Sequence, residues 1–171
     1  IDFKLIRSDI KVKDITYSGM VSPTTGYIRL NRFSRNTTSE MNQAFKDLIE
    51  NDVKEVIIDL RANGGGLLTA AVNMIDMLIE KGQTIVSTKG RMKESNRSFL
   101  SRTKPIIDKD VKIAILINQG SASASEIVAG SIQDLDRGIV IGRKSFGKGL
   151  VQTLYPIDKV RSLKVTTARY Y

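Results

Sequence analysis

The chain has 171 residues, 41% hydrophobic and 26% charged, which suits one globular domain with a packed core. It contains neither cysteine nor histidine, and this excludes disulfides, thiolate nucleophiles, Cys/His zinc sites and any Ser-His-Asp triad within the chain. The formal net charge is +9, but the Lys and Arg residues are scattered and no nucleic-acid motif accompanies them, so a basic solvated surface is preferred to a nucleic-acid or membrane-surface binder.

In chain order, residues 1–22 are polar and mixed, with strand-like fragments at Phe3–Ile6 and Ile10–Val12. No apolar run approaches the ~20 residues of a membrane span, and no signal-peptide pattern is visible. The start at Ile1 rather than Met reads as a piece of something longer. "GYIRL" (Gly26–Leu30) predicts a short strand. "NTTSEMNQAFKDLIENDV" predicts a helix, with Thr37 and Glu40 spaced as a capping box. Met41, Ala44, Phe45, Leu48 and Ile49 form its apolar stripe.

"EVIIDL" (Glu55–Leu60) reads as a buried strand, broken by "RANGGG". "LLTAAVNMIDMLIEK" predicts a second helix running to Gly82. "TIVST" is a strand, and the polar residues 89–110 read as a loop or mobile excursion. "VKIAILIN" (Val111–Asn118) is a further buried strand, and a helix follows from about Ala124 to Leu135. "GIVIG", "LVQTLYPI" and "SLKVTTARYY" complete the strands. Strand, loop and helix alternate, the pattern of an α/β fold with a mainly parallel core sheet and flanking helices. In such folds the loops at the strand C-terminal ends carry the chemistry. Three qualify here: "RANGGG", "NQGSASAS" and "GRKSFGKG".

The last loop mimics a phosphate-binding loop, G-x-x-x-x-G-K, but lacks its final letter. Gly149 follows Lys148 and offers no hydroxyl, and the residues beyond have β character with Pro156 rather than a helix to face a phosphate. Ser145 and Lys148 also spell S-x-x-K, but the flanking Gly147 and Gly149 argue against the helical turn that chemistry needs. "NQGSASASEI" is more informative, because serines just after a buried strand, at a helix start, lie beside unpaired backbone amides that favour negative charge. Such amides can form an oxyanion hole, although Ser and Gly at a helix start are also ordinary caps. With no histidine, a serine nucleophile needs another base. A lysine serves when burial disfavours its charged form. The small residues beside Lys148 let the backbone pack closely and bring its amine inward. The residues alone leave Ser121, Ser123 and Ser125 as rival nucleophiles.

"DLRANGGG", "NQGSASASEIVAG" and "GRKSFGKGLVQ", in this order and spacing, closely resemble the carboxy-terminal processing proteases, or tail-specific proteases. The similarity extends to "GYIRLNRFS" and "LKVTTARYY" and covers most of the chain from Gly26 to Tyr171. The resemblance implies a serine endopeptidase with a Ser-Lys dyad on a Clp-protease-like or crotonase-like core, cleaving proteins near their C-termini. It implies Ser123 as nucleophile, Lys148 as general base and Gln152 as the glutamine that orients the lysine. Asp134 matches an accessory acidic residue of some members. The oxyanion hole falls to the amides of Ala124 and of Gly65, with Gly64 as the alternative. Ser121 then reads as a cap or hydrogen-bonder, Ser125 as facing along the helix start, and Arg61 and Asn63 as braces. No cofactor, metal or nucleic acid is expected.

Relatives commonly carry a PDZ domain that binds a substrate's C-terminal carboxylate by strand addition. None is recognisable here. The expectation is a single catalytic core over residues 1–171, with 1–22 as a leading segment and the PDZ domain elsewhere in a parent chain. The chain also stops at "ARYY" where relatives continue, and has "NGGG" where they commonly have "NpGG". An extracytoplasmic location, periplasm or cell envelope in bacteria, is a further implication. Two other functions compete: a non-catalytic binder of peptides or hydrophobic ligands on the same fold, and a basic anion-binding module.

Overall fold

The computed structural model describes Phe3 and residues 12–171. Of the strand-like fragments expected near the start, only Phe3 and Val12 fall among these residues, and neither is in a strand. The first sheet has five strands in the order β1–β2–β3–β6–β7: β1 (Ile15–Met20), β2 (Thr25–Leu30), β3 (Glu55–Asp59), β6 (Lys112–Ile117) and β7 (Ile139–Gly142). Only the β1–β2 pair is antiparallel; β2, β3, β6 and β7 run parallel. The expected α/β class with a mainly parallel sheet therefore holds. The β1 strand was hidden in the polar leading segment, because a half-exposed antiparallel edge carries no apolar run.

Register explains which face is covered. Ile28 pairs with Ile58 and Ile58 with Ile115, so these fully buried side chains share one face with Val56 and Ile113. Gly26 lies on that face too, and a Cβ there would meet the Leu48 side chain at 2.6 Å, so the first helix packs directly on the sheet. The opposite face is only partly covered, and β7 leaves Ile139 and Ile141 exposed. The continuous apolar runs had suggested strands buried on both faces; the core lies on one.

Three helices close that core: α1 (Thr37–Glu50), α2 (Leu68–Asp76) and α3 (Ala124–Asp134). In α1, Met41, Ala44, Phe45 and Leu48 are buried as expected, but Ile49 is exposed. The expected capping box is absent. Glu40 instead accepts the amides of Asp14 and Ile15 at 3.0 and 2.9 Å, and Thr37 donates its hydroxyl to Asp14 at 2.6 Å. Asp14 and Ile15, at the entry to β1, have taken both side chains. The α2 helix ends at Asp76, short of Gly82, and the carbonyls just beyond its end are bound from outside. The Ile106 amide donates to the Met77 carbonyl at 2.8 Å and Arg137 Nε to the Leu78 carbonyl at 2.7 Å.

A second, antiparallel sheet has the order β5–β4–β9–β8, with β4 (Thr84–Gly90), β5 (Arg97–Leu100), β8 (Leu150–Pro156) and β9 (Ser162–Tyr170). Residues 89–110, expected as a loop, thus contain β5 and a 3₁₀ turn at Lys93–Ser95. Polar side chains along β5 concealed an edge strand that β4 templates. Among the described residues no helix is long and apolar enough to cross a membrane.

Candidate active site

The three loops singled out in the sequence leave the C-terminal ends of β3, β6 and β7 and meet. The β3 loop is fixed first. Asp59 is fully buried and accepts Tyr27 Oη at 2.6 Å and Arg61 Nη2 at 2.7 Å. Burial would raise its carboxyl, but Arg61 and Tyr27 outweigh that and hold it at about 2. Asn63 is also buried and donates to the Leu30 carbonyl at 2.8 Å. Arg61 and Asn63 are therefore braces, as expected.

The β6 loop docks on this turn. The Ala122 amide donates to the Asn63 carbonyl at 3.1 Å, and Asn118 Oδ1 accepts the Ala62 amide at 2.9 Å. Ser121 and Ser125 are fully buried and donate their hydroxyls to the carbonyls of Leu60 (2.7 Å) and Asn63 (2.9 Å). Ser123, between them, is only half-buried and sits at the start of α3 with φ 56° and ψ −112°. An L-residue rarely adopts that conformation; it costs about 1–3 kcal/mol and persists where the surroundings enforce it.

The β7 loop completes the cluster. The Phe146 amide donates to the Ser121 carbonyl at 3.0 Å, and the Tyr170 amide to the Gly149 carbonyl at 3.0 Å. Ser123 and Lys148 line one cavity of about 360 Å³, with Ile85, Val86, Ile127 and Tyr170 as apolar wall. Among the described residues no hydrogen bond joins Ser123 Oγ to Lys148 Nζ. Burial pushes the Tyr170 phenol above its usual range, and the neighbouring Ser123 hydroxyl pulls it partly back.

The other expected site residues are distributed unevenly. Asp134 lines the far end of the same cavity. It is exposed and lies eleven residues beyond Ser123 on α3, roughly 16 Å along at ~1.5 Å per residue, too far to touch Ser123. Gln152 is exposed on β8, where alternation half-buries Val151 and Thr153 instead, and it is absent from the cavity wall. Gly65 touches the nucleophile loop: a Cβ there would fall 2.5 Å from the Ala122 carbonyl oxygen and 2.9 Å from the Ala124 nitrogen. Its own amide, however, already donates to Asn63 Oδ1 at 2.9 Å.

The model of peptidase family S41 matches residues 24–171. The chain belongs to peptidase family S41. A carboxy-terminal-processing protease of Bartonella bacilliformis is 44% identical over 175 residues, a match that takes in 100% of this chain and 39% of that protein. A chloroplastic C-terminal processing peptidase of Tetradesmus obliquus is 34% identical over 179 residues, with 98% of this chain and 38% of that protein covered. The solved structure of a photosystem II D1 C-terminal processing protease superposes with a TM-score of 0.80 at 32% identity, over 96% of this chain and 45% of that one. The chain thus spans about two fifths of the length of the relatives it matches.

On this S41 framework two cavity residues went unassigned in the sequence. Glu126 was quoted in "SASASEI" without a role, although its position three residues after Ser123 is the spacing of a capping box. Tyr170, in "LKVTTARYY", was given no role, since only the return of β9 alongside β4 brings it to the cavity of Ser123.

Proposed function

We propose that the protein is a serine endopeptidase acting through Ser123 and Lys148, and that it cleaves protein substrates near their C-termini. The observation that carries this reading is the convergence of Ser123 and Lys148 on one cavity while Ser121 and Ser125 are buried in hydrogen bonds. Unprotonated Lys148 takes the proton from Ser123 Oγ as the oxygen attacks the scissile carbonyl. The tetrahedral oxyanion is held by the Ala124 amide and a glycine amide of the 64–65 turn, each such donor commonly worth ~3 kcal/mol. Lys148 then protonates the leaving amine, and water releases the acyl group. The apolar wall of Ile85, Val86 and Ile127 suits small or apolar substrate side chains. A PDZ domain in a longer parent and an extracytoplasmic location belong to the same reading.

The test is cleavage of an unstructured protein ending in small apolar residues by the full-length protein and by Ser123→Ala and Lys148→Ala. Both substitutions are expected to leave only a small residual rate, roughly 1000-fold or more below wild type and measurable in single turnovers, with the fold intact. Cleavage near the wild-type rate in either one would reject the dyad.

A further inference from the structure

We infer that Glu126 is the positioning residue that sets the nucleophile and the base against one another; this rests on the Ser123–Lys148 reading. Glu126 sits in the first turn of α3, and its carboxylate accepts four hydrogen bonds. Oε2 takes the amides of Ser123 at 2.7 Å and Lys148 at 2.8 Å. Oε1 takes the amide of Gly147 at 2.6 Å and the Ser145 hydroxyl at 2.8 Å. One oxygen therefore holds both backbone nitrogens, which can be no farther apart than those two bonds laid end to end. The two residues lie in different loops, after β6 and after β7, and this carboxylate joins them directly.

The four donors fill the acceptor sites of one carboxylate, so no neutral side chain of the same size can replace it. Burial would raise the Glu126 carboxyl, but the Ser145 hydroxyl and the amides of Ser123, Gly147 and Lys148 overcome this and keep it below its usual range. A helix cap needs only the Ser123 contact; the three bonds to Ser145, Gly147 and Lys148 go to the loop that carries the base. Tyr170 fixes the other side of that loop through the Gly149 carbonyl. Lys148 is thus held by its backbone on both flanks, and its side chain is free to reach into the cavity.

The test is a double-mutant cycle on the full-length protein, read as single-turnover rate and KM for a peptide substrate. Glu126→Gln turns an NH2 group toward one pair of donors; the Ser145 hydroxyl can accept from it but a backbone amide cannot, so at least one amide bond is lost. We expect the rate to fall about 100-fold with KM changed less than about threefold, as for a small misplacement of reacting groups. Because Glu126 acts through Lys148, adding Lys148→Ala to Glu126→Gln should cost far less than Lys148→Ala does alone. A wild-type rate in Glu126→Gln, or costs that simply multiply, would overturn the inference. Should Glu126→Gln fail to fold, Ser145→Ala removes one donor from the carboxylate. It should slow the rate several-fold at unchanged KM, again without adding to Lys148→Ala, and an unchanged rate overturns the inference. A rate near wild type in Ser123→Ala or Lys148→Ala alone would instead reject the dyad, a separate result.

Discussion

Ser123 is separated from its two neighbouring serines by backbone shape. Ser121 and Ser125 face inward and spend their hydroxyls on carbonyls, while the positive φ of Ser123 turns its side chain to the cavity. Gly65 makes that turn possible, since its φ of 93° and the nearby Ala122 carbonyl leave no room for a Cβ. Gly65→Ala should therefore cost about 1–3 kcal/mol in urea unfolding and also abolish cleavage, because any shift to relieve the clash moves Ala122 to Ala124. Asp59 offers a pH readout at the base of the same loop. Its folded carboxyl stands at about 2 against an ordinary 3.8, so its contribution is complete above roughly pH 4 and is lost as pH falls through 2. Asp59→Asn should be less stable than wild type at neutral pH, with the difference shrinking between pH 4 and 2 in acid titrations followed by circular dichroism. A constant difference would mean that the carboxylate charge is not what Arg61 and Tyr27 recognise. Residue identity at this scale was legible only in part: the serine cluster stood out, but which serine is exposed depends on φ angles that composition does not encode.

Elements were legible where one apolar period dominates. The stripe of α1 and the runs of β3 and β6 were recognisable because burial alone selects those residues. The signals failed where a distant partner decides. Thr37 and Glu40 have the spacing of a local cap, yet both bind Asp14 and Ile15 at the entry to β1. The apolar pattern of α2 runs on past Asp76, but Arg137 intercepts it. That guanidinium donates to the carbonyls of Leu78 (2.7 Å), Val111 (2.9 Å) and Asp108 (2.9 Å), joining the end of α2 to the segments before β6. Burial lowers its pKa from the usual arginine range and the Asp108 charge opposes this, while the three carbonyls satisfy the buried guanidinium's donors. Arg137→Met should lower the unfolding free energy by about 2–4 kcal/mol, measured in urea, by stranding those carbonyls. A change under 0.5 kcal/mol, within the range of an ordinary surface substitution, would assign the helix end to α2 itself.

At the scale of the whole molecule, the parallel sheet and the three loops at its C-terminal edge were legible, because strand–loop–helix order carries topology. Of the second sheet, β4, β8 and β9 were legible as strands, but β5 and the pairing that joins the four were not, because β5 is short and largely exposed and pairing leaves no mark on composition. Yet that sheet supplies Tyr170 and returns the Lys148 loop to α3. The site thus depends on both sheets: the parallel one presents Ser123, the antiparallel one steadies Lys148, and Glu126 ties them together. The most direct measurement is covalent labelling of the full-length protein with a serine-reactive phosphonate, mapped by peptide mass spectrometry. The account predicts a single adduct on Ser123 that forms far more slowly in Lys148→Ala. An adduct on Ser121 or Ser125, or labelling indifferent to Lys148, would contradict it.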